Sequence, residues 1–246
     1  MTYTFQIGNK PCAMQLRLRS TYPRNIFVVG YDANNNDKYF RRICELIPGK
    51  LHTFFFGMPL SPKTLKVQIF DQDYRILTMA STFELDKPQI VGLRTSPLSL
   101  DKDSTNFLHF AEQLAVEMPH LRIGDYSENG FEVRLFEDLP TSTPARIESN
   151  FDYIEVSKAD FLTMTVPRRV LILLHEFSHN FLNGNPNSEI EADLHALSIY
   201  LSRGYPFMEG IYAFTKILHD NQQSMERLNW MYDFMVSHQL YIDQND

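Results

Sequence analysis

VPRRVLILLHEFSHNFLNGNPNSEIEADLHALSIYL, residues 166–201, decides how this chain is read. Val170–Leu182 is a long apolar run with Pro167 just ahead of it, where proline suits the first turn of a helix. The run closes at Asn183-Gly184, a pair suited to a helix C-cap. Within it, His175-Glu176-Phe177-Ser178-His179 places two histidines at i and i+4. One turn apart on a helix, both imidazoles face the same way and can bind one metal ion. Glu176 then lies beside the ion, placed to take a proton from a bound water without being a ligand itself. Leu171–Leu174 and Phe181–Leu182 bury the rest of the helix.

A second helix follows, capped by Ser188 and running to about Leu201. It opens with Glu189-Ile190-Glu191-Ala192-Asp193, which sets Glu189 and Asp193 on one face. The connection Asn183–Ser188 is short, so the helix folds back antiparallel over the first. Glu189 in its opening turn can complete a His2Glu site for one Zn2+ ion, with the fourth position left for water. Asp193, one turn further in, is placed to accept the free N–H of a metal-bound histidine and so fix its tautomer. Glu191 points elsewhere and reads as a solvated carboxylate. His195 faces away from the ligand stripe and reads as structural. His52, His109, His120 and His238 have no partner at metal spacing.

Ahead of these helices, Ser104–Met118 carries Phe107, Leu108, Phe110, Ala111, Leu114 and Ala115 at helical spacing. Phe131–Leu139 and Phe151–Val156 read as strands, and Phe207–His219 and Gln222–Tyr241 as the closing helices. The first 95 residues are different in kind. Met14, Leu16 and Leu18 alternate with Gln15, Arg17 and Arg19, the period of a half-buried strand. Asn25–Gly30, Leu51–Phe56, Thr64–Phe70 and Ile76–Phe83 are further strands, the last two joined through the turn-rich Asp71–Tyr74. One short helix is expected within Tyr39–Leu46, and Phe54–Phe56 is expected in the core. The fold class is therefore α+β. An antiparallel β-sandwich or barrel of six or seven strands occupies residues 1–97, and a compact domain of helix, small sheet and helical bundle occupies residues 98–246. The polar, proline-containing Thr95–Asp103 connects them.

Charge follows the same division. The chain's net charge of −7 is the sum of +6 over residues 1–100 and −13 over residues 101–246. An acidic whole argues against nucleic acid as the main partner, and the basic β half is the natural docking surface for a protein partner. Two cysteines, Cys12 and Cys44, exclude a disulfide framework and a cysteine-based zinc site. No apolar run approaches the roughly 20 residues of a membrane span. Met1–Lys10 lacks the basic and apolar regions of a signal peptide. A cytoplasmic protein, or one assembled into a larger particle, is expected, and a homo-oligomer is compatible with it.

HEFSH and EIEAD together resemble the gluzincin zinc metallopeptidases, whose pattern is H-E-x-x-H followed by a Glu-x-x-x-Asp helix. The E-x-x-A-D form is that of the minigluzincins and the HtpX-like membrane-linked proteases. Glu189–Leu218 is similar to that group's ligand helix, its Gly-Tyr-Pro turn and its next helix, and Val166–Leu182 resembles the ImmA-like group. The likeness spans roughly residues 100–240 and leaves the β half unaccounted for. The metzincin pattern fails, because Leu182 stands at its glycine position and Asn185 at its third histidine. The resemblance implies an edge strand that binds an extended peptide, for which Phe151–Val156 is the candidate. It also implies a donor to the developing oxyanion, for which Tyr205, Tyr212 and His219 are candidates.

The leading expectation is a zinc-dependent endopeptidase or peptidase-like hydrolase, in which metal-bound water activated by Glu176 attacks a peptide carbonyl of a peptide or protein substrate. The rival is a structural or assembly protein, such as a virion or large-complex component, that keeps the zinc site for folding or partner binding. An intact Glu176 favours the enzyme, since a structural site needs no general base.

Overall fold

Period-2 burial builds the first part of the chain. In the computed structural model, which describes residues 1–71, 83–95, 99–140, 143–147, 153–181, 188–217 and 222–245, Met1–Arg94 forms one compact unit and Thr95–Asp246 another. The first unit holds β1 (Thr2–Gln6), β2 (Cys12–Ser20), β3 (Arg24–Asp32), β4 (Lys38–Leu46), β5 (Leu51–Met58), β6 (Thr64–Phe70), β7 (Phe83–Leu85) and β8 (Gln89–Val91). They make two antiparallel sheets: β1-β6-β3-β4, and β5-β2 with both β7 and β8 on the far side of β2. Met14, Leu16 and Leu18 of one sheet and Ile26, Val28, Leu65, Val67 and Ile69 of the other are all essentially inaccessible. Phe40 of β4 meets Phe56 of β5 across the core, ring centroids 4.6 Å apart. Of the barrel and the sandwich, the barrel falls, since neither sheet closes on itself.

The helix expected within Tyr39–Leu46 is strand β4. The register between β3 and β4 shifts at Gly30/Tyr31, a β-bulge, and Tyr39 and Phe40 are both buried as a result. Breaking the alternation there leaves apolar residues at helix-like intervals. Gly30 lies opposite Phe40, and a Cβ on it would meet the Phe40 ring at 2.2 Å. Gly30→Val is accordingly expected to destabilise this unit by about 1–3 kcal/mol, as overpacking does, measured as a drop in the urea midpoint. The strand expected at Ile76–Phe83 and its turn lie almost entirely outside the described residues. Phe54–Phe56 divides: Phe56 is buried, Phe54 half-buried and Phe55 exposed.

The second unit opens with α1 (Lys102–Glu117), capped by Asp101, whose carboxylate accepts from the Ser104 N–H at 2.9 Å. A four-stranded sheet follows in the order β11-β12-β10-β9, from β9 (Gly124–Glu128), β10 (Phe131–Phe136), β11 (Ala145–Ile147) and β12 (Tyr153–Ser157). Asn129-Gly130, both at positive φ, turn β9 into β10. The helices are α2 (Lys158–Thr163), α3 (Val166–Phe181), α4 (Glu189–Ser202), α5 (Phe207–Ile217) and α6 (Gln222–Asn245). Pro167 does sit in the first turn of α3, Ser188 does cap α4, and the proposed Asn183-Gly184 cap lies outside the described residues.

Helix α3 runs through the middle of this unit, with Leu171–Leu174 fully buried. Polar side chains fix its position. Arg169, 1% exposed, donates to the carbonyls of Ala115 in the last turn of α1 (2.8 Å), Phe161 in α2 (2.7 Å) and Met164 at the end of α2 (3.1 Å). Carbonyls at helix ends lack intrahelical partners and carry partial negative charge, so they satisfy a buried guanidinium well. Glu209 of α5 accepts from Arg168 at 2.6 Å and Thr165 at 2.7 Å, locking α5 to the start of α3.

Candidate metal centre

A helix buried on nearly all sides must partner any polar group it carries. His175 and Glu176 of α3 are buried, and the neighbouring helices supply what faces them. His175 and His179, one turn apart, set their rings edge to face with centroids 4.7 Å apart and bring their Nε2 atoms to 3.2 Å. Glu189, in the first turn of α4, reaches over both: Oε2 is 3.6 Å from His175 Nε2, and Oε1 is 3.6 Å from His179 Nε2. The donor atoms of His175, His179 and Glu189 all lie within 4.8 Å of one another, a group that could hold a metal ion.

Asp193, one turn further along α4 and 1% exposed, brings Oδ1 to 3.0 Å from His175 Nδ1. The contact is short but bent, so the ring nitrogen lacks a well-aligned hydrogen bond. Burial alone would lower the His175 pKa. The close approach of the Asp193 carboxylate, an acceptor for Nδ1–H, and the negative charges of Glu176, Asp193 and Glu189 overcome it, so the net shift is upward. Glu176 moves up for a different reason. Burial disfavours its carboxylate, with the Glu189 charge adding to the effect, while His175, His179 and a hydrogen bond from the Ile147 backbone N–H oppose it. Glu191 is exposed.

One member of the cluster has no signature in the sequence. Arg227 of α6 donates through Nε to Asp193 Oδ2 at 2.7 Å and through Nη2 to Asp193 Oδ1 at 2.9 Å, and Nη2 also lies 2.9 Å from Glu189 Oε2. Burial would lower its pKa, but Asp193 and then Glu189 reverse this and raise it. Two carboxylates, Glu189 and Asp193, contact this guanidinium, and Glu176 is the third carboxylate of the cluster. With neutral histidines the cluster carries −2, the charge a divalent cation offsets.

The structure does not bring the oxyanion-donor candidates to this group. Tyr205 is buried against Tyr200, and its hydroxyl donates to Glu112 Oε1 at 3.0 Å; burial and the Glu112 charge hold its pKa well above the usual phenol value. Tyr212 lies under the Arg168 guanidinium at 4.9 Å, two turns of α3 away from His175. His219 lies outside the described residues. His195 packs flat on Phe181 with ring centroids 4.8 Å apart and takes Ser178 as its hydrogen-bond partner at 2.9 Å. Because the Ser178 hydroxyl proton goes to Leu174 O, Nδ1 of His195 is the donor in that bond.

The expected edge strand also moves. Tyr153–Ser157 is an inner strand, parallel to β10 and antiparallel to β11, and among the described residues the sheet edge on that side is β11, whose Ile147 bonds Glu176. With three residues behind Pro144, β11 is too short for an alternation to register in sequence. The chain matches no protein-family model and no curated protein, and no helix among the described residues is long and apolar enough to cross a membrane.

Proposed function

We propose that the chain is a zinc-dependent endopeptidase of the gluzincin type, acting on extended peptide segments. The observation that carries this reading is the convergence of His175, His179 and Glu189 beside a buried, non-liganding Glu176. A tetrahedral zinc ion with bonds of about 2.0–2.1 Å separates its ligand atoms by about 3.3 Å. The 3.2 Å between the two histidine nitrogens is close to that value, Glu189 reaches each histidine with one of its two oxygens at 3.6 Å, and the −2 of the cluster suits a divalent ion. Zinc held there supplies Lewis-acid polarisation of a carbonyl and lowers the pKa of water at its open position.

The chain's own residues do the rest. Glu176 would take a proton at its carboxylate, whose affinity for a proton burial raises above that of an ordinary glutamate. The Ile147 N–H holds that carboxylate in place. Asp193 holds His175 at Nδ1, and Arg227 holds Asp193. Among the described residues strand β11 lies on a sheet edge beside Glu176, where an extended substrate can pair with it by main-chain hydrogen bonds.

Metal analysis tests the site itself. Purified at neutral pH, the protein is expected to carry one equivalent of zinc, and His179→Ala less than about a tenth, because loss of one of three ligands removes most of the binding energy. A wild-type protein with less than about a tenth of an equivalent, and no uptake on titration, would sink the proposal.

A further inference from the structure

Granted the metal site proposed above, we infer that Arg227 restricts Glu189 to one carboxylate oxygen on the ion, so that the chain supplies three donor atoms and not four. A glutamate can bind a metal through one oxygen or through both. The spacing of HEFSH and EIEAD sets a carboxylate beside two imidazoles but does not choose between these modes. In the folded chain the two oxygens of Glu189 have different neighbours. Oε1 is the one that reaches His179, and Oε2, which reaches His175, also forms an ion pair of 2.9 Å with Arg227 Nη2. The Glu189 side chain is 48% exposed, and among the described residues Arg227 is the one Lys or Arg within 4.0 Å of it. Nothing else cationic therefore decides how this carboxylate is turned.

Arg227 itself cannot follow Glu189 if the carboxylate turns. Its guanidinium is fastened to Asp193 by two hydrogen bonds, Nε to Oδ2 and Nη2 to Oδ1, and a planar fork held at two points has no freedom left to rotate. Asp193 is buried in turn, and its Oδ1 stands 3.0 Å from His175 Nδ1. The cation beside Oε2 is thus fixed in the same frame as the first ligand. Chelation by both oxygens would set a divalent ion and the guanidinium on one acceptor, two like charges in a partly buried site where salt screens them little. Binding through Oε1 alone avoids this. Arg227 then stays on Oε2 and balances the charge which the single metal bond leaves there. Two imidazole nitrogens and one oxygen suit zinc, which keeps a low coordination number, and leave a position for water; ions that gather six or more oxygens are poorly served. Arg227 is in this sense a positioning residue, acting on the metal through Glu189.

Cobalt(II) reads the number of donors without any need for turnover, because its visible bands are intense in a four-coordinate site and weaken as ligands are added. The full chain, freed of metal and titrated with Co2+ at neutral pH, is expected to show the intense bands. Arg227→Met at saturating Co2+ is expected to lose roughly threefold or more of the intensity per bound ion, as Glu189 closes with its second oxygen and the geometry changes. Asp193→Asn keeps an amide oxygen for the guanidinium and leaves Arg227 beside Glu189, so it should bind Co2+ less tightly yet retain the wild-type bands. An Arg227 that acted only by supporting Asp193 and His175 would move both variants alike. The double variant Asp193→Asn/Arg227→Met lacks the guanidinium without stranding a buried charge, so it tests the point even if Arg227→Met folds poorly, and it should show the weakened bands. Equal intensity per bound cobalt with and without the guanidinium, or the same loss in Asp193→Asn as in Arg227→Met, would overturn the inference and leave the metal site standing. A wild-type chain that takes up no Co2+ would remove the site and the inference together.

Discussion

Glu176→Gln is expected to lower hydrolysis of an unstructured peptide by roughly 10²–10⁴-fold, the contribution of a positioned general base, while one equivalent of zinc is retained. The amide is close in size to the carboxylate and keeps an oxygen for the Ile147 N–H, but it cannot take a proton. Metal content is expected to be unaffected because His175, His179 and Glu189 are the proposed ligand set. The same substitution has an independent readout in the metal-free protein. Burial raises the Glu176 pKa above its ordinary 4.5, so between 4.5 and the folded value the native state holds a proton that the unfolded chain has released. The stability this contributes is complete below 4.5 and is lost as pH rises through the folded value. Metal-free Glu176→Gln should therefore melt above metal-free wild type at neutral pH, with the gap closing towards pH 4. Peptide turnover equal to wild type in the zinc-loaded variant would remove the mechanism. A zinc-loaded wild type with no turnover on any extended peptide would leave the site a folding staple.

The two helices that build the site are legible in sequence because their constraints are local. His175 and His179 differ by one turn, as do Glu189 and Asp193, so periodicity alone puts each pair on one face. Arg227 is not legible, because its partner Asp193 is 34 residues away, and being the one Lys or Arg of α6 names no partner by itself. The buried second charge of Asp193 was the available clue, since a buried carboxylate needs a cation or several donors. Strand β11 is hidden by brevity, and β4 by a bulge that turns a period of two into something resembling a helix. Alternation identifies strands but says nothing of closure. Sandwich and barrel are separated only once Phe40 and Phe56 meet across two open sheets.

Arg227→Met is expected to weaken zinc binding by roughly 10–100-fold, as changes that leave a metal ligand's hydrogen-bonding partner unsupported do. It should also lower the stability of the metal-free protein by about 3–5 kcal/mol, the cost of leaving a buried charge without its partner. Asp193 is the reason for both. Its carboxylate is 1% exposed, holds His175 on one side and is gripped by two guanidinium hydrogen bonds on the other. Without Arg227 it must rotate, take a proton or admit water, and each of these releases His175 from its present orientation. A double-mutant cycle separates the two consequences. Asp193→Asn added to Arg227→Met removes the uncompensated charge, so the double variant should regain much of the stability lost in Arg227→Met. It should not regain zinc affinity, because a neutral amide supports His175 less well than a carboxylate does. Tighter zinc binding in Arg227→Met would reverse the assignment. The guanidinium 2.9 Å from Glu189 Oε2 would then be a cation competing with the metal for a ligand, and not the brace that holds the ligand set in place.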